Sequence, residues 1–271
     1  MWSDPVRQSE EQEKRRTTAA RLEALLGADA AIYVSPRDGF TELATTYDQR
    51  MGDNPLYLLE TTETLAALPS LSGLKVADLA CGTGRYALQM ARMDAQSVVG
   101  VDFVPEMLTV ARRKARRAEL SEIEWQVGDL LEHLPFEDDS LDVAVCALTL
   151  SFISDPIPAL QEIVRVLKPE GTLVVSDYHP HGLAAARAKS FAVGGKDKSP
   201  YLRFTSADGD ECRIAQTIHN VSQLYKAAGS AGLRLNHLAE PSVDRRLATT
   251  YPSLRESVGL PLALILRFTK E

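Results

Sequence analysis

Three aspartates lie at or near the ends of short apolar stretches, and their carboxylates suit a ligand that carries positive charge. Asp78 and Asp102 belong to the apolar runs 76–79 and 97–102, and Asp129 follows a stretch in which apolar and polar residues alternate. Such runs are typical of strands in a parallel sheet, whose carboxyl ends share one edge. We therefore expect the three carboxylates to converge on one cationic small molecule.

Two glycines shortly after Asp78 predict a tight loop between a strand and a helix. Gly82 and Gly84 let the backbone turn sharply and approach a ligand without an intervening Cβ. The helix that follows directs its free N–H groups into the loop, which favours a nucleotide-like cofactor. Together with Ala87 and Asp102, the glycines also satisfy the relaxed dinucleotide-binding fingerprint, so a nicotinamide cofactor is an alternative. Asp78 disfavours that alternative, because its carboxylate would repel a pyrophosphate.

The pattern Asp78-x-Ala80-x-Gly82-x-Gly84 resembles the first motif of class I S-adenosylmethionine-dependent methyltransferases, in particular the small-molecule type 11 group. Ala80 stands where that family more often has glycine. The resemblance extends over residues 71–177 and implies S-adenosyl-L-methionine as the cofactor. It also implies an α/β fold: a seven-stranded, mostly parallel, doubly wound sheet with an antiparallel last strand, an N-terminal helical extension and a lid inserted after the fifth strand.

The resemblance also implies roles for individual residues. Asp102 accepts hydrogen bonds from both ribose hydroxyls, Asp129 lies beside the adenine amino group, and Tyr47 lies over the cofactor. The alternative for Tyr47 is an aromatic residue that packs in the core from a helix face. The complete set of expected cofactor-binding residues is Tyr47, Asp78, Ala80, Gly82, Gly84, Asp102, Phe103, Met107, Asp129, Leu130 and Ala147.

The chain is expected to contain four regions. They are a helical extension or cap at 1–70, the cofactor-binding core at 71–178, an inserted lid or substrate segment at 179–219, and a C-terminal helix with the last two strands of the sheet at 220–271. Within the lid, strand-like runs on both sides of Asp208-Gly209 predict a hairpin.

Helical spacing of apolar residues predicts three helices in the N-terminal extension, over 4–26, 38–50 and 55–68. Pro55 suits the first position of the third helix. The first helix is highly charged and is a candidate partner surface, for example in a homodimer.

Catalytic residues are harder to predict, because methyl transfer needs a base only where the acceptor must lose a proton. His179 follows the fifth strand and His219 precedes a capped helix, in segments that resemble those of the family. Both are candidate bases or substrate contacts. The alternatives are an extended loop residue before proline for His179 and a residue at the helix entrance for His219. Tyr178 and Tyr201 are candidates for an acceptor pocket.

Composition narrows the classes of function. A net charge of −7, with one basic run at 112–117, argues against a nucleic-acid substrate. The apolar runs are too short for a membrane helix and the three cysteines fit reduced thiols, so we expect a cytoplasmic protein. The five histidines lack metal-ligand spacing, so no metal site is expected.

The expected function is transfer of a methyl group from S-adenosylmethionine to a small organic acceptor by direct displacement. One alternative is a catalytically silent cofactor-binding or regulatory protein with the same fold. The other, a nicotinamide-dependent oxidoreductase, is weakened by Asp78 and by the lack of a Tyr-x-x-x-Lys pair in the chain.

Overall fold

A seven-stranded sheet organises the protein, which we describe from a computed structural model covering residues 31–52, 54–182 and 201–271. The strands in these residues are β1 (Ile32–Val34), β2 (Lys75–Leu79), β3 (Ser97–Asp102), β4 (Glu124–Val127), β5 (Leu141–Ala147), β6 (Leu167–Tyr178), β7 (Tyr201–Thr205), β8 (Glu211–Ala215), β9 (Leu233–Ala239) and β10 (Ala263–Lys270). The large sheet has the order β4-β3-β2-β5-β6-β10-β9. Neighbouring strands are parallel except at β10, which is antiparallel to both β6 and β9.

This strand order confirms the predicted fold class, including the antiparallel last strand. Most residues of β2 and β5 are buried, because helices cover both faces of the sheet. The chain runs outward from β2 to β4 and then returns to β5, so the topological switch point lies between β2 and β5. Ligands of open α/β sheets bind at such a point, beyond the carboxyl ends of the strands.

The helices fill the intervals between the strands. They are α1 (Pro36–Leu43), α2 (Tyr47–Met51), α3 (Pro55–Ala66), α4 (Arg85–Met90), α5 (Pro105–Arg117), α6 (Ile157–Val166), α7 (Val221–Ser230) and α8 (Arg245–Thr250), with 3₁₀ turns at Leu150–Phe152 and Pro252–Ser257. The predicted capping box before α7 is present: the Asn220 side chain accepts the Gln223 N–H, and the Gln223 side chain accepts the Asn220 N–H.

The single helix predicted over 38–50 is wrong, because the chain forms α1 and α2 with a tight turn between them. The N–H of Ala44 bonds to the carbonyl of Thr41, and that of Thr46 bonds to Leu43. The Thr46 hydroxyl also donates to the Leu43 carbonyl at 3.3 Å. A threonine side chain that competes for backbone carbonyls favours this kind of break, and the break lets Tyr47 begin a new helix.

A second, three-stranded sheet of order β1-β8-β7 lies beside the main one. The hairpin predicted around Asp208-Gly209 is confirmed as β7 and β8, whereas the short strand β1 was not predicted. This sheet packs tightly on α1, since a Cβ at Gly39 would come within 2.5 Å of the Ile214 side chain. It therefore holds α1 against the carboxyl edge of the main sheet.

Several predictions from sequence fall on residues outside the described ranges. The charged helix over 4–26 and its role in a homodimer lie there, as does most of the lid before β7. The four-region division of the chain also stays a prediction. Across the described parts of the chain, we find no helix that is both long enough and apolar enough to cross a bilayer.

Candidate cofactor and acceptor site

Two cavities of about 670 Å³ and about 270 Å³ adjoin each other at the carboxyl edge of the main sheet. They share Tyr47, Ala80, Gly82, Ala147 and Leu148 in their linings. The larger cavity extends over the ends of β3 and β4, and the smaller one extends toward the start of α4. The switch point of the sheet thus opens into one elongated site.

The loop after β2 is held in place by two carboxylates. Asp78 accepts the Ala87 N–H at 2.8 Å, which ties the strand to the first turns of α4. Asp102 accepts the Gly82 N–H at 2.7 Å and the Val104 N–H at 2.9 Å, which ties the loop to the end of β3. The carboxylates therefore shape the loop as well as adding negative charge to the site.

Glycine is required at Gly84 and favoured at Gly82. Gly84 has φ +81°, and a Cβ there would lie 2.5 Å from the Trp125 ring. Gly82 has φ +53° with open space around it, so only its backbone conformation favours glycine. Ala80 has φ +54°, a left-handed conformation that glycine adopts more readily than alanine. A left-handed conformation costs a non-glycine residue about 1 kcal/mol.

Burial changes the acidity of two carboxyls in the site. It raises the pKa of Asp78 to about 7 and that of Asp102 to about 6, against the lowering effect of their backbone hydrogen bonds. Each ionised carboxylate is therefore under-solvated, and a bound cation would relieve that penalty. The site favours a positively charged ligand for this reason.

Arg37, at the start of α1, reaches over the end of β3. Its guanidinium donates to the Phe103 carbonyl at 2.5 Å, lies 3.3 Å from the Asp129 carboxylate and sits 4.6 Å from the centre of the Phe103 ring. Asp129 also accepts the Leu131 N–H at 3.0 Å. Sequence analysis missed Arg37, because it belongs to no motif and is close to Asp129 only through the packing of α1.

Ten of the eleven predicted cofactor-binding residues line the two cavities. Asp78 lines the smaller one, and the others line the larger one: Tyr47, Ala80, Gly82, Asp102, Phe103, Met107, Asp129, Leu130 and Ala147. Gly84 lines neither of them and instead makes room for Trp125. Their cofactor-binding roles stay predictions, but the fold brings these residues together.

The sequence between these strands matches a known family. Residues 77–175 match a family described as a methyltransferase domain. This segment of the chain is a methyltransferase domain. The resemblance noted from its motifs is therefore confirmed.

Individual relatives of the methyltransferase domain cover different shares of the chain. Demethylmenaquinone methyltransferase of Deinococcus radiodurans is 41% identical over 107 residues, which cover 39% of this chain and 44% of that protein. The protein of the same name from Lactococcus lactis subsp. lactis is 36% identical over 143 residues, or 52% and 56% of the two chains. The chain thus spans about half the length of these curated relatives.

A solved structure shares the fold of the methyltransferase domain and its surroundings. An S-adenosylmethionine-dependent methyltransferase from Mesorhizobium loti superposes with a TM-score of 0.61 at 23% identity. The superposition covers 78% of this chain and 98% of that one.

Neither of the two candidate histidines lines the two cavities. His179 has Nε2 2.9 Å from a Glu240 carboxylate oxygen, and its Nδ1 accepts the His181 N–H at 3.2 Å. His219 has Nε2 3.1 Å from the Leu150 carbonyl and 2.8 Å from the Ile153 carbonyl, so this nitrogen donates to them. Both rings are buried and neither lines the two cavities. Their catalytic roles stay predictions that this geometry does not support.

A buried polar cluster behind the methyltransferase domain's glycine loop was also missed. Glu60 of α3 is fully buried and accepts hydrogen bonds from Tyr86 at 2.5 Å, from Ser176 and from Thr64 at 3.2 Å. It also forms an ion pair with Arg85. The sequence carries only a weak signal for this cluster, because Glu60 and Thr64 stand one helical turn apart within the polar stretch 60–64.

All three cysteines of the chain are buried free thiols, in line with the expected reduced state. Burial raises the pKa of the Cys81 thiol well above its usual range. Cys81 therefore packs under the glycine loop as a small neutral residue. Among the residues that the structure describes, no cluster of three or more potential ligands could hold a metal ion.

Proposed function

We propose that this protein transfers a methyl group from S-adenosylmethionine to a small organic acceptor. The observation that carries this proposal is the convergence of Asp78, Asp102 and Asp129 on one elongated site within a methyltransferase domain. The buried carboxylates fit a ligand with an ammonium and a sulfonium group, and they do not fit a pyrophosphate. When bound, the cofactor supplies a methyl group on a sulfonium leaving group.

Different residues of the site contact different parts of the cofactor. Asp102 accepts hydrogen bonds from the ribose hydroxyls, and Asp129 accepts one from the adenine amino group. Phe103 and Leu130 provide apolar walls for the adenine. Asp78 places its charge behind the glycine loop, nearer the cationic end. These contacts orient the cofactor, and orientation with exclusion of water accounts for most of the catalysis in a direct displacement.

We further propose a quinol-like ring as the acceptor. The domain's relatives in Deinococcus radiodurans and Lactococcus lactis are named demethylmenaquinone methyltransferases, and the larger cavity continues past the cofactor residues along apolar side chains. Phe40, Phe152 and Ile153 belong to this extension. A flat apolar acceptor would bury its faces there.

Binding and transfer assays together test the proposed function. Calorimetric titration with S-adenosylhomocysteine should give micromolar binding, and radiolabelled methyl groups should move to one class within a panel of naphthoquinols, phenols and amines. No binding at high micromolar ligand would overturn the proposal. Normal binding without transfer to any acceptor would favour the silent regulatory alternative, and tight NADH binding would favour the oxidoreductase.

Cofactor affinity should depend on pH. As the pH rises from about 5.5 to about 8, Asp78 and Asp102 ionise, so affinity for S-adenosylmethionine should rise on the order of tenfold. S-adenosylhomocysteine lacks the sulfonium charge, so its affinity should rise less. Calorimetry at four pH values measures both curves, and parallel curves would contradict this account.

The same raised pKa values make the free energy of unfolding decrease as the pH rises, whereas cofactor affinity increases. Because the folded protein holds these protons more tightly, their contribution to stability is present near pH 4 and is lost as the pH rises through about 6 to about 7. Urea unfolding of the ligand-free protein across this range should show the decrease.

Arg37 should compete with the adenine amino group for Asp129. Arg37→Ala should therefore tighten S-adenosylhomocysteine binding about threefold, a modest gain because the ion pair is partly exposed. Arg37→Lys keeps the charge but loses the planar stacking on Phe103. Its affinity for S-adenosylhomocysteine should lie between those of the wild type and Arg37→Ala. In an Asp129→Asn background the gain should disappear. Weaker binding by Arg37→Ala would show that the arginine instead contacts the bound cofactor.

A further inference from the structure

A third cavity, of about 30 Å³, lies beside the two larger ones and is lined largely by aromatic rings. Tyr47 and Leu148 line all three cavities, and Phe40 and Phe152 line both this one and the largest. It is far smaller than the adjoining cavity of about 670 Å³. A small cavity in this position suits an oxygen-bearing group of a ring that lies in the larger cavity.

Packed aromatic rings form the wall between this small cavity and the largest one. Phe40 meets Phe152 edge to face with ring centres 5.0 Å apart, and meets Tyr47 in the same way at 6.1 Å. Edge-to-face packing leaves apolar ring faces free to contact another flat ring. Tyr47, which is predicted to contact the cofactor, thus also belongs to this aromatic wall.

Two of the tyrosines that line the small cavity, Tyr57 and Tyr178, bring their hydroxyl groups close together. Tyr57 of α3 and Tyr178 at the end of β6 approach each other with their hydroxyl oxygens 3.3 Å apart. The Arg85 guanidinium lies 5.6 Å from the centre of the Tyr57 ring, and Glu60 holds that guanidinium in an ion pair. The buried polar cluster therefore supports the position of Tyr57.

These hydroxyls act as neutral hydrogen-bonding groups. Burial raises the pKa of Tyr178 well above its usual range, and the neighbouring Tyr57 and Tyr47 raise it further. Burial raises the pKa of Tyr47 as well. A neutral tyrosine donates a proton in a hydrogen bond to an acceptor oxygen and does not serve as a base at neutral pH.

We propose that the small cavity binds the oxygen of the methyl acceptor, a hydroxyl or carbonyl group on a flat apolar ring, through the Tyr57–Tyr178 hydroxyl pair. The ring itself lies in the adjoining cavity against Phe40 and Phe152. This assignment rests on the proposed function, because it identifies the adjoining cavity with the acceptor side of the cofactor site. The substrate class is accordingly a phenol, naphthol or quinol.

Binding of 2-naphthol to protein loaded with S-adenosylhomocysteine tests this subsite without requiring methyl transfer. Tyr57→Phe and Tyr178→Phe should each weaken 2-naphthol binding about fivefold, the loss of one hydrogen bond. Neither should change the binding of naphthalene, which has no oxygen. Phe152→Ala should weaken both ligands. Tyr225→Phe, at a tyrosine of α7 that is 57% exposed, is the matched control and should change neither.

The outcomes separate the subsite from the proposed function. Unchanged 2-naphthol binding in both tyrosine variants would overturn the subsite, and so would no 2-naphthol binding by the wild type. If the tyrosine variants lose equal affinity for 2-naphthol and naphthalene, the substitutions have disturbed packing, and this result would also overturn the subsite. Failure of the wild type to bind S-adenosylhomocysteine would overturn the proposed function. The two aromatic ligands would then be titrated against the unloaded protein, where the same tyrosine dependence still decides the subsite.

Discussion

Asp102→Asn should weaken S-adenosylhomocysteine binding on the order of a hundredfold. In the ligand-free protein the Asp102 carboxylate accepts the N–H groups of Gly82 and Val104, and we propose that it also accepts the ribose hydroxyls. An asparagine amide must present its NH₂ group to one of these donors. The glycine loop then loses a hydrogen bond, and the ribose loses an ionised acceptor. Isothermal titration calorimetry measures the change directly.

Asp142→Asn is the control for this experiment. Asp142 lies near the start of β5, at the opposite edge of the sheet, where it accepts the Lys75 N–H at 2.9 Å and pairs with Lys168. Its replacement removes one negative charge without touching the cavities, so cofactor affinity should stay within about twofold. If the Asp102 and Asp142 variants bind equally well, the assignment of Asp102 to the ribose is wrong.

Glu60→Ala should lower the free energy of unfolding by about 3 kcal/mol. The substitution leaves the Arg85 guanidinium without its buried partner and leaves the hydroxyls of Tyr86 and Ser176 without an acceptor. Breaking a buried ion pair by removing one member is costly, because the remaining charge is desolvated and unpaired. Urea unfolding of the full chain, followed by circular dichroism, measures the loss.

Two variants control for the position and the charge of Glu60. Glu63→Ala removes a partly exposed glutamate from the same helix and should cost less than about 1 kcal/mol. Glu60→Gln keeps the shape and the hydrogen-bond acceptor but removes the charge, so its loss should be intermediate. If Glu60→Ala is as stable as Glu63→Ala, the buried polar cluster contributes nothing to the free energy of unfolding.

The cofactor side of the site was largely predictable from the sequence. Buried parallel strands appear as apolar runs, so the ends of β2 and β3, with Asp78 and Asp102, could be located without any tertiary contact. The turn at Gly82 depends on backbone conformation that glycine adopts at little cost. The capping box before α7 was predictable for a similar reason, since its two partners are three residues apart.

The same local patterns misled where a long-range or side-chain contact decided the outcome. Apolar spacing over 38–50 fits one helix, but the Thr46 hydroxyl competes for a backbone carbonyl and the helix divides. The segment of His219 resembles its counterparts in the family, and the catalytic role that this resemblance implies stays a prediction. The structure adds that the His219 ring bonds two carbonyl groups of the distant turn after β5. A sequence pattern does not show which way such a side chain faces.

The sequence by itself determined the succession of the core strands along the chain, the glycine loop and the carboxylates at the strand ends, because these depend on residues near one another in the chain. Only the tertiary structure decided that Arg37 meets Asp129, that Glu60 meets Ser176 and that Tyr57 meets Tyr178. Each of these pairs joins residues about a hundred positions apart. Such contacts arise only when the whole fold closes, so no local periodicity or spacing encodes them.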